Sequence, residues 1–62
     1  MKVWQIIGLV EADGWYLVRT RGSHRQYKHP AKPGKVTVPG KRSDELRPKT
    51  AASILEQAGL RR

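Results

Sequence analysis

The sequence contains no cysteine, which excludes disulfide bonds and thiolate metal sites. It also has no apolar run approaching the ~20 residues needed to span a bilayer. The short apolar stretch near the N-terminus is interrupted by Gln5 and Gly8 and has no small-residue cleavage site, so a signal peptide is not expected. These absences predict a soluble, cytoplasmic protein without membrane contact. A length of 62 residues predicts one domain, residues 1–62, with a small core.

Acidic residues are scarce: there are 5 Asp and Glu against 13 Lys and Arg, for a formal net charge of +8. The excess lies in one segment. Residues 19–49 hold ten basic and two acidic residues, 10 − 2 = +8, and the rest of the chain holds three of each, 3 − 3 = 0. Charge concentrated in one segment forms a patch that attracts polyanions. Nucleic acid is therefore the first expected partner, and an acidic protein is the second.

Two segments have the apolar spacing of amphipathic helices. In residues 2–12 apolar side chains recur at positions 3, 6, 7 and 10, with Trp4 and Leu9 widening the stripe, and Gly14 follows as a helix terminator. A second helix is predicted to begin at Pro48, with an apolar face at positions 51, 54, 55 and 58. Gly59 and Leu60 then predict a Schellman ending, and Arg61 and Arg62 would lie at the negative end of the helix dipole.

Three short strands are predicted between these helices. Residues 15–19 are aromatic and aliphatic, Gly22-Ser23 supplies a turn, and a second strand covers residues 24–29. Residues 35–38 alternate polar and apolar side chains, and the charged segment 41–47 is expected to be irregular. The predicted fold is α+β in the order α-β-β-β-α. Both helices would cover one face of a three-stranded antiparallel sheet and leave the other face open.

His24 is the candidate catalytic residue. Side chains alternate along a strand, so with Tyr27 directed towards the helices, His24 and Lys28 lie on the open face. Arg25 and His29 then share the side of Tyr27, near the strand ends, from which they would reach solvent past the edges. An exposed imidazole can accept or release a proton near neutral pH. RNA supplies its own nucleophile, the 2′-hydroxyl, so a ribonuclease built on His24 needs no metal and no cofactor.

Cations around His24 would contact phosphate and stabilise the charge of the transition state. Six candidate RNA-binding residues follow from the charge and the turn: Arg21, Ser23, Arg25, Lys28, Lys35 and Lys41. A single histidine in a basic protein is more often an ordinary surface residue, and Ser23-His24 is a poor nucleophile–base pair because neighbouring strand residues point in opposite directions. His24 and His29 lie on opposite faces with no carboxylate between them, so no metal site is predicted.

Two further readings of the same residues remain open. One is a non-catalytic RNA-binding module that uses the same basic sheet face. The other is a module whose basic patch binds an acidic protein. The composition and spacing of the residues do not choose among the three.

A series of motifs, in order along nearly the whole chain, resembles the HicA toxin family of bacterial toxin–antitoxin systems. The matching residues are Gly14-Trp15, Arg19-x-x-Gly22-Ser23-His24-x-x-Tyr27-x-His29-Pro30, Val36-Thr37-Val38-Pro39, and Glu45-Leu46-x-Pro48-x-Thr50-x-x-Ser53-Ile54-Leu55-x-Gln57-Ala58-Gly59-Leu60. The Gly-Ser-His element and the Ile-Leu-x-Gln-Ala-Gly-Leu ending are the specific parts.

The resemblance implies a fold like a double-stranded-RNA-binding domain and an mRNA interferase that needs no metal. It implies that His24 is the catalytic residue, that the substrate is mRNA, and that a HicB-type antitoxin covers this region. Contact with DNA is expected only through the antitoxin complex. The chain departs from the family at one place, since many members have a second histidine just after the third strand, where this sequence has Gly40-Lys41.

Overall fold

The computed structural model describes residues 1–60, and the predicted role of Arg61 and Arg62 lies outside the described residues. The elements are α1 (Val3–Ala12), β1 (Tyr16–Arg21), β2 (His24–Lys28), β3 (Val36–Val38) and α2 (Pro48–Gln57). The predicted order α-β-β-β-α is confirmed. The strands form one antiparallel sheet in the order β1-β2-β3, so β1 and β3 are its edges.

One hydrophobic core joins the two helices to the sheet. Its members are Val3, Ile6, Ile7, Val10, Trp15, Tyr27, Val36, Val38, Leu46, Ala51, Ile54 and Ala58. The predicted apolar positions of both helices are buried in it, with Leu55 partly buried beside them. Trp4 and Leu9 do not extend the buried stripe of α1, because they are 52% and 45% exposed. Helical spacing alone does not predict burial for residues at the edge of the apolar stripe of α1, because the three-stranded sheet is narrow.

Both helices end in a Schellman motif, which the sequence predicts for α2, and Gly14 ends α1 as predicted. At the end of α1 the N–H of Gly14 donates to the carbonyl of Glu11 and the N–H of Trp15 to that of Val10. At the end of α2 the N–H of Leu60 donates to the carbonyl of Leu55, 2.8 Å away. Gly14 and Gly59 have φ of +107° and +70°, backbone angles that favour glycine.

The charged segment after β3 has no regular structure, but it is tied to the start of α1. The N–H groups of Val3 and Trp4 donate to the carbonyls of Asp44 and Arg42, each at 3.0 Å. Lys2 also forms an isolated antiparallel bridge with Glu45. The segment therefore satisfies backbone N–H groups that the first turn of a helix leaves free, and it is more ordered than its composition predicts.

Candidate functional site

The Gly22-Ser23 turn connects β1 to β2 and sets the position of His24. It is a two-residue hairpin loop, since Arg21 and His24 are the last pair of the β1–β2 ladder. Gly22 has a φ of +59° and Ser23 does not have a positive φ, which is the pattern of a type II′ turn. His24 is exposed, and Ser23 is exposed beside it in the turn. The predicted exposure of His24 is confirmed.

The pairing register assigns each strand residue to one face of the sheet, because directly opposed residues share a face. Tyr27 is 1% exposed and marks the helix-covered face. The opposite, open face therefore carries Tyr16, Arg19, Arg21, His24, Gln26, Lys28 and Thr37. None of these strand positions is acidic. We call this set the open face.

A β-bulge in β1 brings Arg21 opposite His24. Leu17 pairs with Tyr27 and Arg19 pairs with Gln26, so Val18 is an extra residue without a partner in the ladder. Simple alternation without the bulge would place Thr20 opposite His24. The bulge instead places both Arg19 and Arg21 on the open face. Opposed residues have Cβ atoms about 5 Å apart, so the Arg21 guanidinium can reach any group held at the His24 imidazole.

The other predicted RNA-binding residues are divided between the two ends of the sheet. Lys28 lies on the open face at the end away from the turn, and the exposed Lys35 precedes β3 at that same end. Lys41 is exposed beyond the opposite end of β3, the end that pairs with Arg25 next to His24. His24 therefore has Arg21, Ser23 and Lys41 at its own end of the sheet, and Lys28 and Lys35 lie at the other.

Arg25 is placed on the helix-covered side and is half-buried. Its guanidinium donates to the carbonyl oxygen of Gly40 at 3.0 Å, which holds the chain leaving β3 against the start of β2. This bond lies one residue before Lys41. Arg25 therefore fixes the loop that carries Lys41, and it does not lie beside His24 on the open face.

His29 does not reach solvent past the sheet edge, and that prediction is wrong. Its side chain is 10% exposed and its ring packs edge-on against Trp15, with ring centroids 5.2 Å apart. Nε2 lies 2.7 Å from the carbonyl oxygen of Asp13, so it must donate. Nδ1 then accepts the N–H groups of Ala31 and Lys32, at 3.0 and 3.1 Å. Every polar atom of this ring is engaged in holding the fold.

Asp13 adds an ion pair to the same junction. Lys32 donates to the Asp13 carboxylate and also to the carbonyl oxygen of Ala58, 3.0 Å away, which connects the ends of α1 and α2. The hydrogen bond from Lys32 holds the pKa of Asp13 below its ordinary value of 3.8. The two histidines thus differ in kind: His29 is a structural group, and His24 is free to meet a ligand.

Sequence reasoning missed Tyr16 and Arg19 as members of the open face. The face of Arg19 depends on the bulge, which has no sequence signature in β1, and the face of Tyr16 depends on its pairing with Lys28. Within residues 1–60 no group of three or more His, Cys, Asp or Glu side chains is arranged to hold a metal ion. No helix in that range is long and apolar enough to cross a membrane.

A known protein family matches most of the chain. The family described as "HicA toxin of bacterial toxin-antitoxin" matches residues 5–60 of the chain. That range includes the open face, the Gly-Ser-His turn, the His29 junction and the end of α2. No curated protein matches the sequence closely enough to count as a relative. The family match extends over nearly the whole chain, and the chain belongs to the HicA toxin family of bacterial toxin–antitoxin systems.

Proposed function

We propose that this toxin is an endoribonuclease, an mRNA interferase, in which His24 is the proton-transfer group and the RNA 2′-hydroxyl is the nucleophile. The observation that supports it most is the exposed imidazole of His24 opposite Arg21, on a face where no strand residue is acidic. Such a face accepts a polyanion without like-charge repulsion. Membership of the HicA toxin family adds support, because such toxins generally cleave mRNA.

The chemistry needs few groups from the protein. The neutral His24 imidazole takes the proton of the 2′-hydroxyl, and the 2′-oxygen attacks the adjacent phosphorus. The bond from phosphorus to the 5′-oxygen breaks, leaving a 2′,3′-cyclic phosphate on one fragment and a 5′-hydroxyl on the other. The leaving 5′-oxygen must gain a proton, and the exposed site admits water as its source. No metal or cofactor enters this scheme.

Charge stabilisation falls to the cations at the turn end of the sheet. Arg21 is within reach of a phosphate held at His24, and its planar guanidinium can donate two hydrogen bonds to phosphate oxygens. The Ser23 hydroxyl and Lys41 are exposed at the same end and can bind the neighbouring phosphates. Lys28 and Lys35, at the far end, attract the RNA strand without touching the reacting atoms. Arg25 contributes by fixing the loop before Lys41.

The proposed partner is a HicB-type antitoxin that covers the open face and so excludes RNA from His24. In this account the antitoxin carries acidic groups towards Arg19 and Arg21, and any contact with DNA is made by the antitoxin in the complex. The mRNA substrate places the activity in the cytoplasm.

The test is incubation of the purified protein with RNA in the presence of EDTA. The parent protein should cut the RNA, and His24→Ala should lower the rate by roughly 10²–10⁴-fold, the usual contribution of a general base. Gln26→Ala is the matched control, because it removes another polar side chain from the same strand and face. A folded His24→Ala protein with parental activity would overturn the proposal, and so would cleavage that stops when EDTA is added.

A non-catalytic RNA-binding module is the second candidate, and the open face supports it equally well. It predicts salt-sensitive RNA binding by the parent and no new fragment ends on incubation. The same experiment therefore separates the two candidates by the fragments alone.

A further inference from the structure

Tyr16 is an exposed aromatic side chain on the open face. It pairs with Lys28 across the β1–β2 ladder and is 50% exposed. Tyr27, the other aromatic residue within the three described strands, is 1% exposed in the core. Because the Tyr16 ring is half-exposed and lies opposite the cationic Lys28, core packing does not explain its position. The ring offers a flat apolar surface to a ligand that also carries negative charge.

On the β1–β2 hairpin, the residues of the open face form three successive cross-strand pairs, which we call rows. Arg21 and His24 form the row at the turn, Arg19 pairs with Gln26 in the middle row, and Tyr16 pairs with Lys28 in the last. Lys28 and His24 are four residues apart on β2, a distance of about 13 Å at the usual rise of a strand. A polymer bound at His24 and lying along the hairpin therefore passes over Arg19 and reaches Tyr16 within a few of its units.

We propose that Tyr16 is a base-stacking platform for single-stranded RNA, a few nucleotides from the phosphate that is held at His24. The inference rests on the proposed function, since it takes His24 as the point of cleavage. Arg19 binds the phosphate between the two points, Lys28 binds the phosphate beside Tyr16, and the ring of Tyr16 stacks against one base. Bases inside a duplex are already stacked and paired, so this platform selects unpaired RNA.

Contact with a protein partner is the competing explanation for the exposed Tyr16 side chain. The neighbouring residue, Leu17, distinguishes protein binding from RNA binding. Leu17 is 48% exposed, almost the same as Tyr16, but it pairs with Tyr27 and so lies on the other side of β1. An RNA strand on the open face touches Tyr16 and leaves Leu17 in water. A protein that wraps the β1 edge buries both side chains. Leu17→Ala is therefore the matched control for Tyr16→Ala.

The test is a binding titration with a short single-stranded 2′-O-methyl RNA, which has no free 2′-hydroxyl to act as nucleophile. Tyr16→Ala should weaken binding by roughly 5- to 150-fold, the range that loss of one base–aromatic stack gives. Tyr16→Phe should bind like the parent, and Leu17→Ala should also bind like the parent. The salt dependence of binding should keep its slope in Tyr16→Ala and become shallower by about 0.7 in Arg19→Gln.

A set of oligonucleotides with a single abasic position gives the sharper result. At one position the missing base should weaken binding to the parent and have no further effect on Tyr16→Ala, because the stack is then already lost. Parental affinity in Tyr16→Ala would overturn the inference, as would equal losses in Tyr16→Ala and Leu17→Ala. Undiminished cleavage by His24→Ala would instead overturn the catalytic proposal and leave this binding comparison standing.

Discussion

Arg21 lies directly opposite His24 at the turn end of the β1–β2 hairpin, and the pair exists because Val18 is an extra residue in β1. The bulge converts a strand that would direct Arg19 and Arg21 towards the helices into one that directs both to the open face. The side chains that β1 presents on the open face are therefore set by the pairing register, and the hydrophobic pattern of β1 does not determine them.

Arg21→Gln should slow RNA cleavage by roughly 10- to 100-fold, somewhat less than the loss of a donor from a closed oxyanion site, because this site is open to water. Lys35→Gln removes the same charge from the other end of the sheet and should change the cleavage rate by less than about threefold at physiological salt, since its charge there is largely screened. The measurement is the single-turnover rate with saturating protein. Equal losses in the two variants would show that net charge, and not the opposed position of Arg21, drives the reaction.

The two histidines should give opposite results when each is replaced by alanine. His29→Ala removes the acceptor of two backbone N–H groups and an aromatic contact with Trp15, and should destabilise the protein by about 2–4 kcal/mol. His24→Ala should leave the free energy of unfolding within about 0.5 kcal/mol of the parent, because its side chain is exposed. Urea unfolding measures both. A His29→Ala protein as stable as the parent would refute the structural role of this ring.

Gly14→Ala should destabilise the protein for two reasons. Its φ of +107° costs about 1–3 kcal/mol for a residue with a side chain. The added Cβ would also lie 2.8 Å from Nε2 of His29, the atom that donates to Asp13. Gly34→Ala is the control, because Gly34 also has a positive φ of +82° but has open space where the Cβ would be. Thermal melting should show the larger loss for Gly14→Ala, and equal losses would mean that the contact with His29 does not matter.

The Asp13–Lys32 pair should make stability depend on pH in the acid range. The pKa of Asp13 is lower in the folded protein than its ordinary 3.8, so the folded state favours the ionised carboxylate. The resulting stability is fully present above pH 3.8 and is lost as the pH falls through the lowered pKa of the folded state. Asp13→Asn should weaken the pH dependence of the free energy of unfolding in this acid range, as measured by urea unfolding at several pH values. Glu11→Gln, at an exposed carboxylate with no ion pair within residues 1–60, should leave it unchanged.

Much of the fold follows from local patterns in the sequence. Apolar spacing in α1 and α2, the glycines that end them, and the Gly22-Ser23 turn each act within a few residues, and each prediction is confirmed. The exposure of His24 followed from alternation along β2, which has no bulge. Those features depend on interactions between residues that are close together in the chain, so a single sequence predicts them well.

The parts that could not be predicted depend on residues far apart in the chain. The bulge at Val18 is decided by how β1 registers against β2, and valine suits a strand with or without a bulge. The His29 side chain is only 10% exposed because the end of α1 and the 29–32 segment meet at its ring, which parity alone does not indicate. The hydrogen bond from the Arg25 guanidinium to the carbonyl oxygen of Gly40 likewise joins residues 15 apart in the chain, and local sequence patterns do not predict it.

The most direct test of the central claim is to identify the ends of the RNA fragments that the purified protein makes in EDTA. Transfer to the 2′-hydroxyl by way of His24 predicts 2′,3′-cyclic phosphate and 5′-hydroxyl ends from the parent protein, and almost none from a folded His24→Ala variant. Fragments with 3′-hydroxyl and 5′-phosphate ends would contradict the account, as would the same cyclic ends formed at the parental rate without His24.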